Sequence, residues 1–378
     1  MLSYANSSIS SAPFAIAQIL HNQGRYEEAF IKYKKAAENR KLANSKVGRT
    51  AQLMVSRYIL SYDGPAGPDS PADPETKKKA ADSLISLAES KFKPAYFWAG
   101  DCYYNGNGID KDLASAFKWF QRADSECNDT DAKLRVGKMY KDGLGAEKDA
   151  AMAVQVFEEL VETKHQTVAQ QTLGQIYWEG STAVERNVDM AKHWYALAAN
   201  SPSADAEYML GLISMELGEE EEALSWYEKA IDRGHVAAMR EFALLYQHGE
   251  GSIEQDLSKT SFWLQRAVKE GDAEAMVYLG LAYEHGMGTV IFRNRDKAMQ
   301  LYQDAAATGN SNAMFLAAQM FHASENYAQA LELFEQAANH GKITARVMTA
   351  RYSLNGLGGS NEDPESGFKV CWDLAIVP

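Results

Sequence analysis

The sequence has few cysteines and no apolar segment long enough to span a membrane. Its three cysteines, Cys102, Cys127 and Cys371, form no CxxC pair for a metal or a redox disulfide. No apolar run reaches the roughly 20 residues of a transmembrane helix, and the first residues lack the basic start of a signal peptide. We therefore expect a cytoplasmic protein; the alternative is the endoplasmic reticulum lumen, if an upstream signal sequence was removed.

Basic residues are in deficit as well. The chain has 38 Lys and Arg against 51 Asp and Glu, which gives a net charge of −13. Nucleic-acid binding depends on neutralising phosphates with Lys and Arg, so this balance argues against a nucleic-acid partner. The acidic run 219–222 is typical of a solvated helix start, where carboxylates favour the positive end of the helix dipole.

Proline is scarce except in the segment DGPAGPDSPADP, residues 63–74, which holds four of the nine prolines. Proline interrupts both helices and sheet ladders, so this segment predicts a surface loop. It separates a helix over Val47–Tyr62 from one over Glu75–Ser90. The loop is either an insertion without a role or a contact element, and the sequence leaves both interpretations open.

One pattern recurs along the chain and is clearest in residues 95–123, AYFWAGDCYYNGNGIDKDLASAFKWFQRA. Its first half has the i, i+3, i+4, i+7 spacing of an amphipathic helix, at Tyr96, Ala99, Gly100 and Tyr103. Gly106 follows where a helix end needs a positive φ, and Asp112 can cap the next helix. The second helix repeats the apolar stripe at Ala116, Trp119, Phe120 and Ala123. Such a helix pair cannot bury its apolar face alone, so copies must stack.

The small residue at position 100 recurs in register along the rest of the chain, at Gly100, Gly137, Gly174, Gly211, Ala243, Gly280, Ala318 and Ala350. Most spacings are 37 or 38 residues, and the two of 32 come from units near Glu207 and Met314 that lack the longer loop. We predict an all-α fold, a right-handed α/α superhelix of about ten antiparallel helix pairs. Residues 1–44 form a first hairpin after a short polar segment, 45–94 a divergent pair, and 95–378 eight repeats in one continuous solenoid.

Loop and cap residues recur in step with the helices. Glycine pairs stand at Gly106/Gly108, Gly143/Gly145, Gly249/Gly251, Gly286/Gly288 and Gly356/Gly358. Capping residues are expected at Asp149, Asn187, Asp256, Asn294 and Asn326. Because the glycines lie between two helices, they predict turns and not a phosphate-binding loop. In the copy with Gly180-Ser181-Thr182 the second glycine is missing, which predicts a re-routed loop.

The pattern Ala-x-x-x-Leu-Gly-x-x-Tyr-x-x-Gly-x-Gly, then Asp-x-x-x-Ala-x-x-Trp-Tyr-x-x-Ala, resembles the Sel-1-like repeat, a longer-looped relative of the tetratricopeptide repeat. The best copies begin at Ala169 and Ala275, and the resemblance covers residues 95–378. The short units, including Phe14–Glu38, are closer to the tetratricopeptide form. The resemblance implies a non-enzymatic scaffold or adaptor that recruits or regulates a protein partner.

Family resemblance suggests several settings for that role. The first is a scaffold like the fungal chitin-synthase activators, although those usually end in a prenylation box and this chain ends at Pro378 without one. The alternatives are an adaptor of endoplasmic-reticulum-associated degradation and a bacterial host-interaction protein. A hydrolase is the least favoured, since the proposed β-lactamases resemble a cysteine-rich subgroup. We also expect the array to continue beyond residue 378, and a homodimer through a terminal repeat is a further alternative.

Related tetratricopeptide proteins bind ligands in a concave groove lined by the first helices, at −3, +1, +4 and +5 from the small residue. Carried over, these positions give candidate partner-binding residues Phe97, Asp101, Tyr104, Lys138, Lys141, Gln175, Trp178, Tyr208, Leu212 and Met215. Apolar side chains where the stripe predicts solvent, beside two lysines, are typical of an interface for an acidic partner. The alternative is that superhelical twist buries some of them against neighbouring units.

No catalytic or metal-binding constellation is evident. His248 and His285 occupy equivalent positions of successive units, but stacked helices would hold them about 10 Å apart, too far to share an ion. We expect both to be solvated or to cap a helix end. The sequence contains no HExxH, no phosphate loop and no supported Ser/His/Asp or Cys/His set. We therefore expect no enzymatic activity, no cofactor and no metal.

Overall fold

The computed structural model describes residues 2–60, 73–249 and 253–359, and side chains from residue 12 onward in these ranges. The helices divide into two compact units, Met1–Ala198 and Ala199–Pro378. The first holds α1 (Leu2–Asn22), α2 (Tyr26–Ala37), α3 (Lys46–Leu60), α4 (Pro74–Glu89), α5 (Tyr96–Asn105), α6 (Leu113–Cys127), α7 (Thr130–Asp142), α8 (Ala150–Leu160), α9 (Gln166–Glu179) and α10 (Val188–Ala199). The second holds α11 (Ala204–Glu216), α12 (Glu220–Asp232), α13 (Val236–His248), α14 (Leu257–Lys269), α15 (Ala273–His285), α16 (Arg295–Ala307), α17 (Ser311–Ala323), α18 (Tyr327–Asn339) and α19 (Ile343–Asn355).

Within each unit, helices that follow one another in the chain pack as pairs, and each pair packs on the next. The described residues contain no β-strand, only an isolated bridge between Met287 and Ile291 and two 3₁₀ turns at Lys93–Ala95 and Leu357–Gly359. The predicted all-α fold of stacked helix pairs is therefore confirmed. The expected second helix at Phe368 and most of the proline-rich loop 63–74 lie outside the described residues.

The start of the chain differs from the prediction, because α1 begins at Leu2 where a short polar segment was expected before Phe14. Ala17 and Leu20 of α1 are buried against α2 in a common core cluster. Once these packed turns form, each further residue adds one backbone hydrogen bond at low entropic cost. The serine-rich residues before Phe14 therefore continue the helix.

The recurring small residues allow the two helices of a pair to approach closely. A Cβ on Gly100 would lie 2.8 Å from the ring of Phe120, and one on Gly211 would lie 2.3 Å from the ring of Tyr227. Both distances are shorter than van der Waals contact, so a side chain at either glycine would have to displace the facing ring. The residue that fills this space is a buried aromatic in six second helices, at Phe120, Phe157, Tyr195, Tyr227, Tyr302 and Phe334, and it is the buried Leu264 in α14.

In the loops that the structure describes, the second glycine lies against the pair before it. A Cβ on Gly145 would lie 2.0 Å from the carbonyl oxygen of Leu113, the first residue of α6, and its φ is +73°. Gly358 approaches the carbonyl oxygen of Tyr327, at the start of α18, in the same way. In the copy that lacks this glycine, Gly180 has a ψ of 173° and the Ser181 amide donates to the Val184 carbonyl oxygen at 2.7 Å.

The predicted helix caps are confirmed by side chains that accept a hydrogen bond from a free amide of the first turn. They are Asp112, Asp149, Asn187, Asp256, Asn294 and Asn326. Asp149, for example, accepts from the Met152 amide at 2.9 Å. These caps fix where their six helices begin and so the lengths of the loops before them.

We expect Asp149→Ala to lower the free energy of unfolding by about 1 kcal/mol, because the Met152 amide loses its only acceptor within the first turn. Urea denaturation followed by circular dichroism measures the change. Glu147→Ala, exposed and two residues earlier, is the control and should change stability by less than about 0.5 kcal/mol. Equal losses for the two variants would contradict a capping contribution of Asp149.

Candidate protein-binding groove

A cavity of about 780 Å³ lies in the first unit, lined by α5, α7 and the connections that precede them. Its apolar lining comes from Phe97, Trp98 and Leu134. Its cationic lining comes from Lys93, Arg135 and Lys138. Two of the predicted groove residues, Phe97 and Lys138, therefore face the same cavity.

The aromatic side of the cavity is held in place by packing. The Phe97 ring lies 5.2 Å from the Trp98 ring and 5.5 Å from the buried Phe120 ring of α6, centroid to centroid. The Arg57 guanidinium of α3 stacks over Trp98 at 3.9 Å. Both aromatic residues are half-buried, so each presents a fixed apolar surface to the cavity at little entropic cost.

The three cations differ in how far their charge is already neutralised. The Arg135 guanidinium lies 3.9 Å from an Asp101 carboxylate oxygen and 5.3 Å from the centre of the Tyr104 ring. Burial raises the pKa of Asp101, although Arg135 opposes the shift. Lys93 donates to the carbonyl oxygen of Glu126 at 2.8 Å. Lys138 is exposed and has no hydrogen-bond or ion-pair partner among the described residues, so its charge is available to a ligand.

Both acidic residues of the lining are engaged within the protein. Asp131 accepts from the Lys164 ammonium at 2.6 Å and lies 2.8 Å from the His165 ring nitrogen. The hydrogen bond from Lys164 lowers the pKa of Asp131. Asp129 caps α7 and accepts from two backbone amides. The cavity therefore presents more unneutralised positive charge than its composition suggests.

The other predicted residues of the first unit lie further along the first helices and contact one another. The Lys141 ammonium donates to the Gln175 side-chain oxygen at 3.1 Å and lies 3.3 Å from a carboxylate oxygen of Asp142. Gln175 in turn donates to Glu179 at 2.7 Å. Lys141 is thus neutralised by its neighbours, in contrast to Lys138.

Aromatic side chains at the +4 position are covered on one side by cations. The ring of Tyr104 lies between Phe120 at 6.2 Å and the Arg135 guanidinium. Arg186 lies over the Trp178 ring at 4.7 Å and donates to the Trp178 carbonyl oxygen. The structure therefore places these two predicted residues at half-buried cation–π contacts.

The predicted residues of the second unit, Tyr208, Leu212 and Met215, are half-buried and pack on its core cluster. The Tyr208 ring stacks on the His235 ring at a centroid distance of 4.3 Å. These contacts match the alternative in which packing accounts for the apolar groove positions.

Sequence reasoning missed several residues that line the cavity, among them Trp98 and Arg135 on the first helices. Both lie two residues before the small residue of their helix, at Gly100 and Gly137, and so at one equivalent position. Because only −3, +1, +4 and +5 were carried over, position −2 was left out. A tryptophan followed one repeat later by an arginine at that position is the signal that would have identified them.

The described residues contain no group of three or more His, Cys, Asp or Glu that could hold a metal ion. His248 and His285 are exposed and are the last residues of α13 and α15. No helix in the described part of the chain combines the length and the apolar character needed to cross a membrane.

Cys127 lines the cavity and is exposed, whereas Cys102 is 3% exposed and burial raises the pKa of its thiol to about 12. Because the thiolate is the reactive form, we expect iodoacetamide at pH 8 to alkylate Cys127 in the folded protein and to leave Cys102 unmodified. Peptide mass spectrometry measures both sites, and the urea-unfolded chain, in which both should react, is the control. Equal alkylation of the two in the folded protein would contradict the prediction.

The repeats match the models of two known repeat families. The Sel1 repeat family model matches residues 93–123, 130–158, 167–203, 236–272, 273–310 and 311–342. A tetratricopeptide repeat model matches residues 13–41 and 204–233, the first hairpin and one of the two short units. No curated protein matches the chain in sequence.

The solved structures that share the fold include two repeat proteins. One is c5321, a protective antigen of uropathogenic Escherichia coli strains with an SLR fold, at 23% identity and a TM-score of 0.62 over 98% of this chain and 77% of that chain. The other is a Sel1 repeat protein from Oxalobacter formigenes, at 24% identity and a TM-score of 0.61 over 81% of this chain and 86% of that chain. Since the six Sel1 matches cover more than half of the sequence, the chain belongs to the Sel1 repeat family.

Proposed function

We propose that this protein is a non-enzymatic scaffold that binds a segment of a partner protein in the cavity between α5 and α7. Sel1 and tetratricopeptide repeats generally mediate protein–protein interaction and are typically non-enzymatic. One observation carries the proposal. The half-buried aromatic surface of Phe97 and Trp98 meets a lysine, Lys138, whose charge has no partner among the described residues.

The chemistry of the cavity favours an acidic segment that also carries an apolar side chain. An apolar anchor inserted beside Phe97 and Leu134 would displace water from a fixed surface, as at the centre of protein interfaces. A carboxylate next to it would find Lys138 and Arg135 within the same lining. The chain as a whole carries a net charge of −13, so the attraction must come from this local cluster and should weaken as salt is raised.

The proposed role is to recruit or regulate the bound protein in the cytoplasm, as the resemblance to fungal chitin-synthase activators suggests. The alternatives that remain are an adaptor of endoplasmic-reticulum-associated degradation and a bacterial host-interaction protein. These settings differ in the partner and not in the chemistry of the site. A second copy of the chain, bound through a terminal repeat, is the other partner that we propose.

Affinity capture followed by binding measurements tests the site. The intact chain, a Phe97→Ala/Lys138→Glu variant and a Lys118→Glu control are compared, with circular dichroism to establish folding. Lys118 is exposed on α6 and does not line the cavity, so its reversal changes the net charge equally. We expect one prominent partner to bind the intact chain and the control, and to bind the double variant at least about tenfold more weakly.

A partner that binds the double variant as well as the intact chain would overturn the assignment of the cavity. A Tyr104→Ala/Trp178→Ala/Met215→Ala variant then tests the remaining predicted positions. If only that variant loses binding, the partner binds further along the first helices than the cavity. Peptides that tile the partner, measured at two salt concentrations, show whether the bound segment is acidic.

A further inference from the structure

Two exposed phenylalanines in the second unit stand at positions that the other repeats fill with polar residues. Phe262, on α14, is 59% exposed, and Phe292, in the loop before α16, is 77% exposed. Phe262 lies six residues after Asp256, which caps α14. Phe292 lies two residues before Asn294, which caps α16. Both positions can be followed from repeat to repeat.

The repeat register shows what normally occupies these two positions. Six residues after the capping position, every other second helix from α6 to α18 carries an exposed polar residue, at Lys118, Gln155, His193, Ser225, Gln300 and Glu332. Two residues before the cap, the other long loops between the helices of a pair carry an exposed acid, at Asp110, Glu147, Glu185 and Glu254. Stacking of the helix pairs therefore does not require a phenylalanine at either position.

The loop that carries Phe292 packs on α14. A Cβ on Gly288 would lie only 2.7 Å from the side chain of Leu257, the first residue of α14. Ile291, next to Phe292, is buried in one core cluster with Leu264 of α14. The two exposed rings therefore belong to adjoining elements of the second unit.

These two elements carry positive charge only. The helix α14 and residues 286–295 contain five Lys and Arg and no Asp or Glu, in a chain with a net charge of −13. The five are Lys259, Arg266, Lys269, Arg293 and Arg295. Lys259 lies over the Tyr246 ring and lines a cavity with Glu221 and Glu254, so its charge is partly balanced. The other four cations form no ion pair among the described residues.

On α14 the apolar and the cationic side chains lie on one face. Phe262, Arg266 and Lys269 have i, i+4, i+7 spacing and are all exposed. The Phe262 ring lies 5.2 Å from the Trp263 ring, and the Arg266 guanidinium lies 5.2 Å from the centre of the same indole. Because Trp263 contacts both side chains, it restricts their motion and lowers the entropic cost of binding a partner.

Exposed carboxylates border this surface on both sides. They lie on α12, in the pair before, at Glu221, Glu228 and Asp232, and on α16, in the pair after, at Asp296 and Asp304. Packed helices are about 10 Å apart, which is close to the Debye length at physiological salt. A flat anionic membrane or a nucleic acid would therefore meet these carboxylates together with the cations and would be repelled by them. A single helix or strand is narrow enough to contact the cations alone.

We propose that α14 and residues 286–295 form a second protein-binding surface. Its occupant is one acidic helix or strand of a partner protein, with carboxylates facing Arg266, Lys269 and Arg295. Apolar side chains of the same segment pack against Phe262 and Phe292. The surface lies in the second unit and does not involve the cavity between α5 and α7. Because the attraction is local and electrostatic, binding should weaken as salt is raised.

Photo-crosslinking from the full chain tests the proposal. The probes carry p-benzoylphenylalanine in place of Phe262 or Phe292, and the control carries it in place of Gln300, the equivalent exposed position of α16. Each chain is irradiated in a lysate of the source organism, and the crosslinked peptides are sequenced by mass spectrometry. We expect both probes to label the same segment of one partner protein and the control not to label it. That segment should carry a net negative charge.

Charge reversal with the purified partner tests the chemistry of the contact. We expect Arg266→Glu/Lys269→Glu to weaken binding at least about tenfold, and replacement of the partner's carboxylates by lysine to restore it. Lys34→Glu/Lys35→Glu is the matched control, because both lysines are exposed on α2 and the net charge changes equally. It should bind like the intact chain. Since all these residues are exposed, circular dichroism should be unchanged in each variant.

Three results would overturn the proposal. They are a failure of both probes to label a protein, a labelled segment that is neutral or basic, and a charge reversal that leaves binding unchanged. Labelling of lipid instead, with binding of the intact chain to vesicles of phosphatidylserine and phosphatidylcholine, would assign the surface to a membrane and overturn the proposal equally.

Discussion

Replacing Gly145 by alanine is expected to lower the free energy of unfolding by about 3 kcal/mol. Its φ of +73° is a conformation that costs an alanine roughly 1 kcal/mol. The added Cβ would also lie 2.0 Å from the Leu113 carbonyl oxygen, which is backbone and cannot rotate away. Moving the loop off the start of α6 adds about 2 kcal/mol, as in overpacked cores. Urea denaturation followed by circular dichroism measures the loss.

Gly24→Ala is the matched control in the same unit. Gly24 has a φ of +74°, and a Cβ there would have no atom within 4 Å. It should therefore show the backbone cost alone, about 1 kcal/mol. If both variants lost the same amount, the close approach of the Gly145 loop to α6 would contribute nothing, and the role of the second glycine in joining repeats would be wrong.

The contrast between these two glycines shows what the sequence could predict. Local features such as helix pairs, helix caps and turn glycines depend on residues a few positions apart in the sequence. The spacing around Gly100 and Asp112 was therefore sufficient to predict them. The sequence did not show why the loop needs a second glycine. The residue that approaches Gly145 is Leu113, which belongs to the preceding helix pair. The extent of α1 was missed for a related reason, since its serines are helical through packing of the turns that follow.

The candidate site was predictable only in part. We applied the groove positions of related tetratricopeptide proteins to this sequence, which identified Phe97 and Lys138. Both residues line one cavity. It could not distinguish Lys138 from Lys141, because that difference depends on whether Gln175 of the next repeat reaches the ammonium. Sequence periodicity gives the face on which a side chain lies, whereas its partners depend on rotamers across the repeat boundary.

Arg240→Ala is expected to cost about 3 kcal/mol of stability in the second unit. Arg240 of α13 donates from Nη1 to both carboxylate oxygens of Asp272, at 3.0 and 2.8 Å, and from Nε and Nη2 to Glu241. The side chains of Arg240 and Asp272 are only 16% and 10% exposed. Burial disfavours the charged guanidinium, but the two carboxylates outweigh it and raise the pKa of Arg240. Removing the cation leaves a buried carboxylate at the start of α15 without its partner.

Two comparisons isolate this buried pair. Arg25→Ala removes a pair with Glu28 in which both side chains are about half exposed, and should cost less than about 1 kcal/mol. In the double variant Arg240→Ala/Asp272→Asn the stranded carboxylate is gone, so its loss should be smaller than the sum of the two single losses by at least about 1 kcal/mol. Additive losses would show that Arg240 stabilises the unit through its packing alone. A coupling of the expected size would identify the Arg240–Asp272 pair as a link between one helix pair and the start of the next.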